Sequence, residues 1–121
     1  MKIAILGLGE AGCRFANDLV KIEQVTVSGW DPDLQRDLDE RVHFAASNAD
    51  AVKSADAVFS LNSAEVCHFV ASEVAGALAS GSLYCEMNTA SPACKREVES
   101  ILSGTSGVSY THLTLPTICS V

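Results

Sequence analysis

The sequence predicts an α/β fold: one doubly wound parallel sheet forming a single domain. Three observations carry this reading. Short apolar runs alternate with amphipathic stretches, as successive β-α-β units require. A glycine cluster, Gly7-Leu8-Gly9-Glu10-Ala11-Gly12, joins the first apolar run to the first amphipathic stretch. The length of 121 residues, 48% of them hydrophobic and 19% charged, suffices for one core and is too short for two full domains.

Lys2 to Leu6 is a short apolar run ending at glycine, the pattern of a buried parallel strand. From Glu10 the period lengthens, and Gly12, Phe15, Ala16, Leu19 and Val20 fall on one helix face. Val25 to Trp30 reads as a second strand, which Asp31-Pro32-Asp33 breaks with turn chemistry. A polar segment with a short helix is expected next, then a brief strand over Val42 to Phe44 and a short helix over Asn48 to Ser54. Ala57 to Leu61 makes a fourth strand. Val66, Phe69, Val70, Val74, Ala77 and Leu78 form one helical stripe closed by Gly81. Leu83 to Met87 is a fifth strand, and Ser91-Pro92 reads as an N-cap with proline at the first helical position of a helix running towards Leu102.

The final residues, 104–121, contain no Asp, Glu, Lys or Arg and are rich in Ser and Thr. Val108 and Tyr110 can begin a sixth strand. Tyr110 to Thr117 also resembles translated adapter sequence fused to truncated reading frames. The expected division is therefore a dinucleotide-binding domain over 1–103 and a non-native extension over 104–121.

Eight basic against fifteen acidic side chains give a net charge of -7, which disfavours nucleic acid and anionic membrane as partners. No apolar run is long enough to span a bilayer, and the opening residues lack the pattern of a signal peptide, so a cytoplasmic location is expected. Cys13, Cys67, Cys85, Cys94 and Cys119 show no Cys-x-x-Cys spacing, and the three histidines have no metal-ligand spacing. Reduced, buried thiols are expected, with no metal site.

The glycine cluster matches G-x-G-x-x-G in the context that gives the pattern meaning, after a strand and opening a helix. Gly7 permits the tight turn, Gly9 leaves room for a pyrophosphate, and Gly12 lets the helix approach the strand. The N–H groups of the helix's first turn then offer an anion site. Asp31 lies nineteen positions (12 to 31) beyond the last glycine, where a Rossmann-type fold places a ribose-binding acid. Its charge favours NAD over NADP, although Arg36 is near enough in sequence to meet a 2′-phosphate. The competing reading makes Asp31 a turn residue and the glycines packing devices. Trp30 reads as core filling before it reads as an adenine contact. Glu10 is expected to face solvent.

Ligands on open parallel sheets sit beyond the carboxyl ends of the strands. Asn62, Ser63, Asn88 and Thr89 follow the fourth and fifth strands and would stand near a nicotinamide, with helix capping as the alternative for Ser63 and Ser91. Lys95, among Arg96, Glu97 and Glu99, reads as part of a solvated helix face. His43, His68 and His112 form no catalytic grouping, so no catalytic residue is assigned.

Ile3 to Gly12, Gly29-Trp30-Asp31-Pro32, Ala55-Asp56-Ala57-Val58 and Leu83 to Val98 resemble the N-terminal NAD(P)-binding domain of the β-hydroxyacid dehydrogenases, the superfamily of 6-phosphogluconate and 3-hydroxyisobutyrate dehydrogenases. The resemblance implies that Gly7, Gly9 and Gly12 hold the pyrophosphate, that Asp31 lies at the ribose, and that Asn62 and Thr89 approach the nicotinamide. Glu86 and Asn88 depart from the residues many members carry. In the family an all-helical domain supplies the catalytic lysine and often the dimer contact. That domain is not in this sequence, so the chain reads as a fragment of an oxidoreductase acting on a hydroxy acid or related substrate, with homodimerisation a property of the whole enzyme. Two other classes stay open: a non-catalytic NAD(H)-sensing module or subunit, and an S-adenosylmethionine-binding methyltransferase fragment.

Overall fold

The computed structural model describes residues 1–34, 37–63, 65–87, 92–104 and 108–112. In chain order the elements are β1 (Lys2–Leu6), α1 (Glu10–Leu19), β2 (Thr26–Trp30), β3 (His43–Phe44), α2 (Asn48–Ala51), β4 (Ala57–Ser60), α3 (Cys67–Val74), β5 (Leu83–Glu86), α4 (Pro92–Ser103) and β6 (Ser109–His112). The strands form one sheet in the order β3-β2-β1-β4-β5-β6. All five pairings are parallel, with Ile5 opposite Gly29 on one side and Phe59 on the other. This is the doubly wound Rossmann order, whose switch point falls between β1 and β4.

Alternation along β1 feeds two cores. Ile3 and Ile5 join Leu8, Cys13, Ala16 and Val20 under α1. Ala4 and Leu6 point the other way, into a larger cluster with Val58, Val70, Val74, Tyr84, Val98 and Leu102 from beneath α3 and α4. Burial on both faces explains why these strands read as unbroken apolar runs. The Ser28 hydroxyl donates to the Ala51 carbonyl at 2.7 Å and ties α2 to β2.

Several local expectations are revised. No helix occurs in the described part of the polar segment after Asp33; residues 37–41 carry irregular chain and a turn. The helix expected over Val66 to Leu78 is shorter, ending at Val74 with Ala75 as C-cap, and the chain turns at Gly76, a weak helix former. Gly81 does not close it; with φ +88° it shapes the turn into β5. Ser63 is not the helix cap, a position held by Val66 with no side-chain hydrogen bond. Lys95 is buried instead of solvated, because it shares the α4 face of Val98 and Leu102, while Arg96, Glu97 and Glu99 stay exposed. The sixth strand forms as β6, in register with β5 from Leu83 opposite Ser109. Among the described residues no helix is long and apolar enough to cross a membrane.

Candidate functional site

The chain leaves β1 through Gly7, whose N–H donates to the Trp30 carbonyl at 3.0 Å. Gly7 takes φ +104°, and a Cβ there would lie 2.6 Å from the Leu61 carbonyl oxygen, so both conformation and space demand glycine. Gly12 is packing of another kind: its Cβ would come within 1.9 Å of the Gly7 carbonyl oxygen. Gly9 differs from both. Among the described residues its Cβ would meet nothing within 4 Å, so no packing contact there explains the glycine. Gly9 is also the N-cap of α1, with no side chain to satisfy the first-turn N–H groups. An open cradle below uncapped amides is what an anionic diphosphate fits.

Asp31 braces this loop. Its Oδ2 accepts from the Leu8 N–H at 2.7 Å and its Oδ1 from the Asp33 N–H at 2.8 Å. The second bond is the turn role set against ribose binding in the sequence, and the first fixes the glycine loop to the end of β2. Each carboxylate oxygen keeps a further lone pair for a ligand hydroxyl. Glu10 points outward as expected, 70% exposed and 3.7 Å from Arg14. Placed at the start of a helix, its charge also favours the helix dipole.

Gly7, Gly9, Asp31, Asn62 and Ser63 come together on one cavity of about 480 Å³. Leu8 is buried beneath it, Glu10 and Ala11 are exposed at the mouth of α1, and Gly12 lies inside the packing. Asn62 donates from Nδ2 to the Ser60 hydroxyl at 3.1 Å, which orients it at the end of β4. Asn88, Thr89, Ser91 and Arg36 lie outside the described residues.

The far wall was not legible in the sequence. Val66, Phe69, Val70 and Glu73 line it from α3 and its N-cap, together with Trp30, Pro32 and Asn48. The stripe on α3 reads as core by period, yet Phe69 is 63% exposed and Val66 42%. Trp30 both packs against the larger core and lines the cavity. Asn48 is buried, its Nδ2 reaching Glu73 Oε1 at 3.5 Å and its Oδ1 without a partner among the described residues. Among the described residues, no group of three His, Cys, Asp or Glu side chains is placed to hold a metal.

A cleft at the switch point of a doubly wound sheet, with a bare glycine cradle and an acid closing β2, defines a dinucleotide-binding domain of the Rossmann class. Residues 2–110 match the model of the NAD binding domain of 6-phosphogluconate dehydrogenase. The chain belongs to that family. No match to a curated protein is found. Among solved structures it is similar to Mycobacterium tuberculosis 3-hydroxyisobutyrate dehydrogenase with L-serine, at 26% identity and TM-score 0.75, covering 92% of this chain and 39% of that one. A conserved hypothetical protein from Sinorhizobium meliloti 1021 superposes with TM-score 0.79 at 22% identity, covering 97% of this chain and 43% of that one. A Myxococcus stipitatus imine reductase variant in complex with NAD+ gives TM-score 0.76 at 23% identity, covering 92% and 39%. The chain thus spans about two fifths of the length of these proteins.

Proposed function

We propose that this chain is the cofactor-binding part of an oxidoreductase that moves a hydride between a nicotinamide dinucleotide and a hydroxy acid or related substrate. The observation that carries the reading is the empty space above Gly9, beside uncapped α1 amides and a carboxylate that already grips the loop. In this reading Gly7 to Gly12 (through Leu8, Gly9, Glu10 and Ala11) wrap the pyrophosphate, and Asp31 accepts from the adenosine ribose. The adenine lies against Trp30, Val66, Phe69 and Val70, with Asn48 and Glu73 as the polar groups of that wall. Asn62 and Ser63 flank the nicotinamide side.

When bound, the dinucleotide supplies the hydride. This chain's residues bind it and orient it. Asp31 favours NAD, since a 2′-phosphate would face its charge. The likeness to 3-hydroxyisobutyrate dehydrogenase supports a hydroxy-acid substrate for the whole enzyme, whose acid/base lysine and dimer contacts belong to a further domain. Exposed Leu83 and Phe44 give such contacts apolar surface. We place the end of the domain after His112 instead of residue 103, because β6 pairs with β5 and the family match reaches residue 110.

Titration with NADH and NADPH, following energy transfer from Trp30, tests the reading. Trp30 is the sole tryptophan and lines the cavity. Saturable binding with NADH tighter than NADPH is expected. No binding of either, or displacement by S-adenosylmethionine, overturns it.

A further inference from the structure

Behind the cleft wall, Cys67 and Cys94 bring their sulfurs within 2.7 Å of each other. Cys67 opens α3 and Cys94 lies in the first turn of α4, 27 residues further on. That spacing is longer than a disulfide bond of about 2.05 Å. It is shorter than the roughly 3.5 Å at which even carbon atoms make their best contact. The packing of α3 against α4, through Val70, Val74, Val98 and Leu102, therefore holds two thiols from separate elements at the threshold of bonding. We propose that Cys67 and Cys94 are a redox modification site, closing reversibly into a disulfide that pins the start of α3 to the start of α4.

The two sulfurs have unequal roles. Cys67 is fully buried and Cys94 half-buried, so an incoming oxidant meets Cys94 first. Burial foremost, then the hydrogen bond with Cys94 and the nearby Glu86 carboxylate, pushes the Cys67 thiol up to about 12. The Cys94 thiolate attacks one sulfur of a low-molecular-weight disulfide such as glutathione disulfide, releasing one small thiol and forming a mixed disulfide. Cys67 then gives its proton to solvent and attacks the Cys94 sulfur, expelling the second small thiol. Two protein thiols lose two electrons and two protons, and the small disulfide gains them as two thiols.

The site has a structural consequence beside the cofactor cleft. Val66, the N-cap of α3, and Phe69 and Val70 within it line the cavity, so the bond would anchor the helix end that carries its far wall.

The test uses the full chain equilibrated in glutathione buffers of graded redox poise, quenched with an alkylating agent and mapped by peptide mass spectrometry. A Cys67–Cys94 linked peptide is expected, with Cys13, Cys85 and Cys119 alkylated, and a rise in melting temperature of roughly 10 °C or more, reversed by dithiothreitol. Cys67→Ser should stop at a glutathione adduct on Cys94, whereas Cys94→Ser should take up far less. The proposal is overturned if excess glutathione disulfide yields no Cys67–Cys94 peptide in the wild-type chain, a result that needs no variant to fold. It is equally overturned if Cys94→Ser is oxidised as fast as wild type, or if the cross-linked chain melts no higher than the reduced one.

Discussion

Replacing Gly9 by alanine separates ligand binding from packing. A Cβ on Gly9 meets nothing within 4 Å, and the backbone there, at φ -77°, is open to alanine. With no contact made or lost among the described residues, the cost is the N-cap preference for glycine over alanine, about 0.5–1 kcal/mol. That corresponds to a melting shift of roughly 2–8 °C. The proposed pyrophosphate crosses that bare backbone, and a methyl group would hold its oxygens away from the α1 amides. Losing one charge-assisted hydrogen bond costs about 1.5–3 kcal/mol, which weakens binding on the order of 10- to 150-fold. Thermal melting and NADH titration through Trp30 on the same preparation read both quantities. A folded variant that binds NADH like the parent would refute the placement of the diphosphate. A large loss of stability would reveal a close contact that the geometry does not contain.

Gly12→Ala should behave in the opposite way, since its Cβ would sit 1.9 Å from the rigid Gly7 carbonyl oxygen. A loss of about 1–3 kcal/mol or more is expected, and an unchanged melting curve would contradict it. Asp31→Ala removes the acceptor for the Leu8 and Asp33 amides. It should cost about 1–3 kcal/mol of stability and weaken NADH more than NADPH; equal losses would show that the acid is only a brace. Phe69→Ala, at a 63% exposed position, should leave the melt almost unchanged. It should cost about 1–3 kcal/mol of NADH affinity if the base stacks there, and undiminished affinity would place the adenine elsewhere. The Asp39 carboxyl is held well below its ordinary range, from 3.8 to about 2, by hydrogen bonds from the Arg41 side chain and backbone N–H. Its contribution to stability is therefore present above about pH 4 and lost as pH falls through 2. A carboxyl NMR titration with its midpoint at the ordinary value would remove that pair from the account.

The places where sequence and structure part company share a cause. The α3 stripe has the period of a core helix, and period alone cannot distinguish a side chain facing the sheet from one facing a cleft. Val70 and Val74 are buried, whereas Val66 and Phe69 form the exposed wall. Asn48 carried no signal, because its meeting with Glu73 joins α2 to α3 across 25 residues. Lys95 misleads for the opposite reason: its charged neighbours suggest a wet face, but it lies on the α4 face packed inward.

What the sequence by itself determined is the sheet, the glycine loop and the acid at Asp31. Strand and helix periods, a positive-φ glycine and an Asp-Pro break are local constraints on backbone conformation, and each is written within a few neighbouring residues. Tertiary structure alone decided that Asp31 reaches back 23 residues to the Leu8 amide, that Phe69 faces a cavity, and that Cys67 meets Cys94. Those contacts depend on how far each crossover carries a helix over the sheet before it packs. Burial of the whole core sets that distance, and no short stretch of chain contains it.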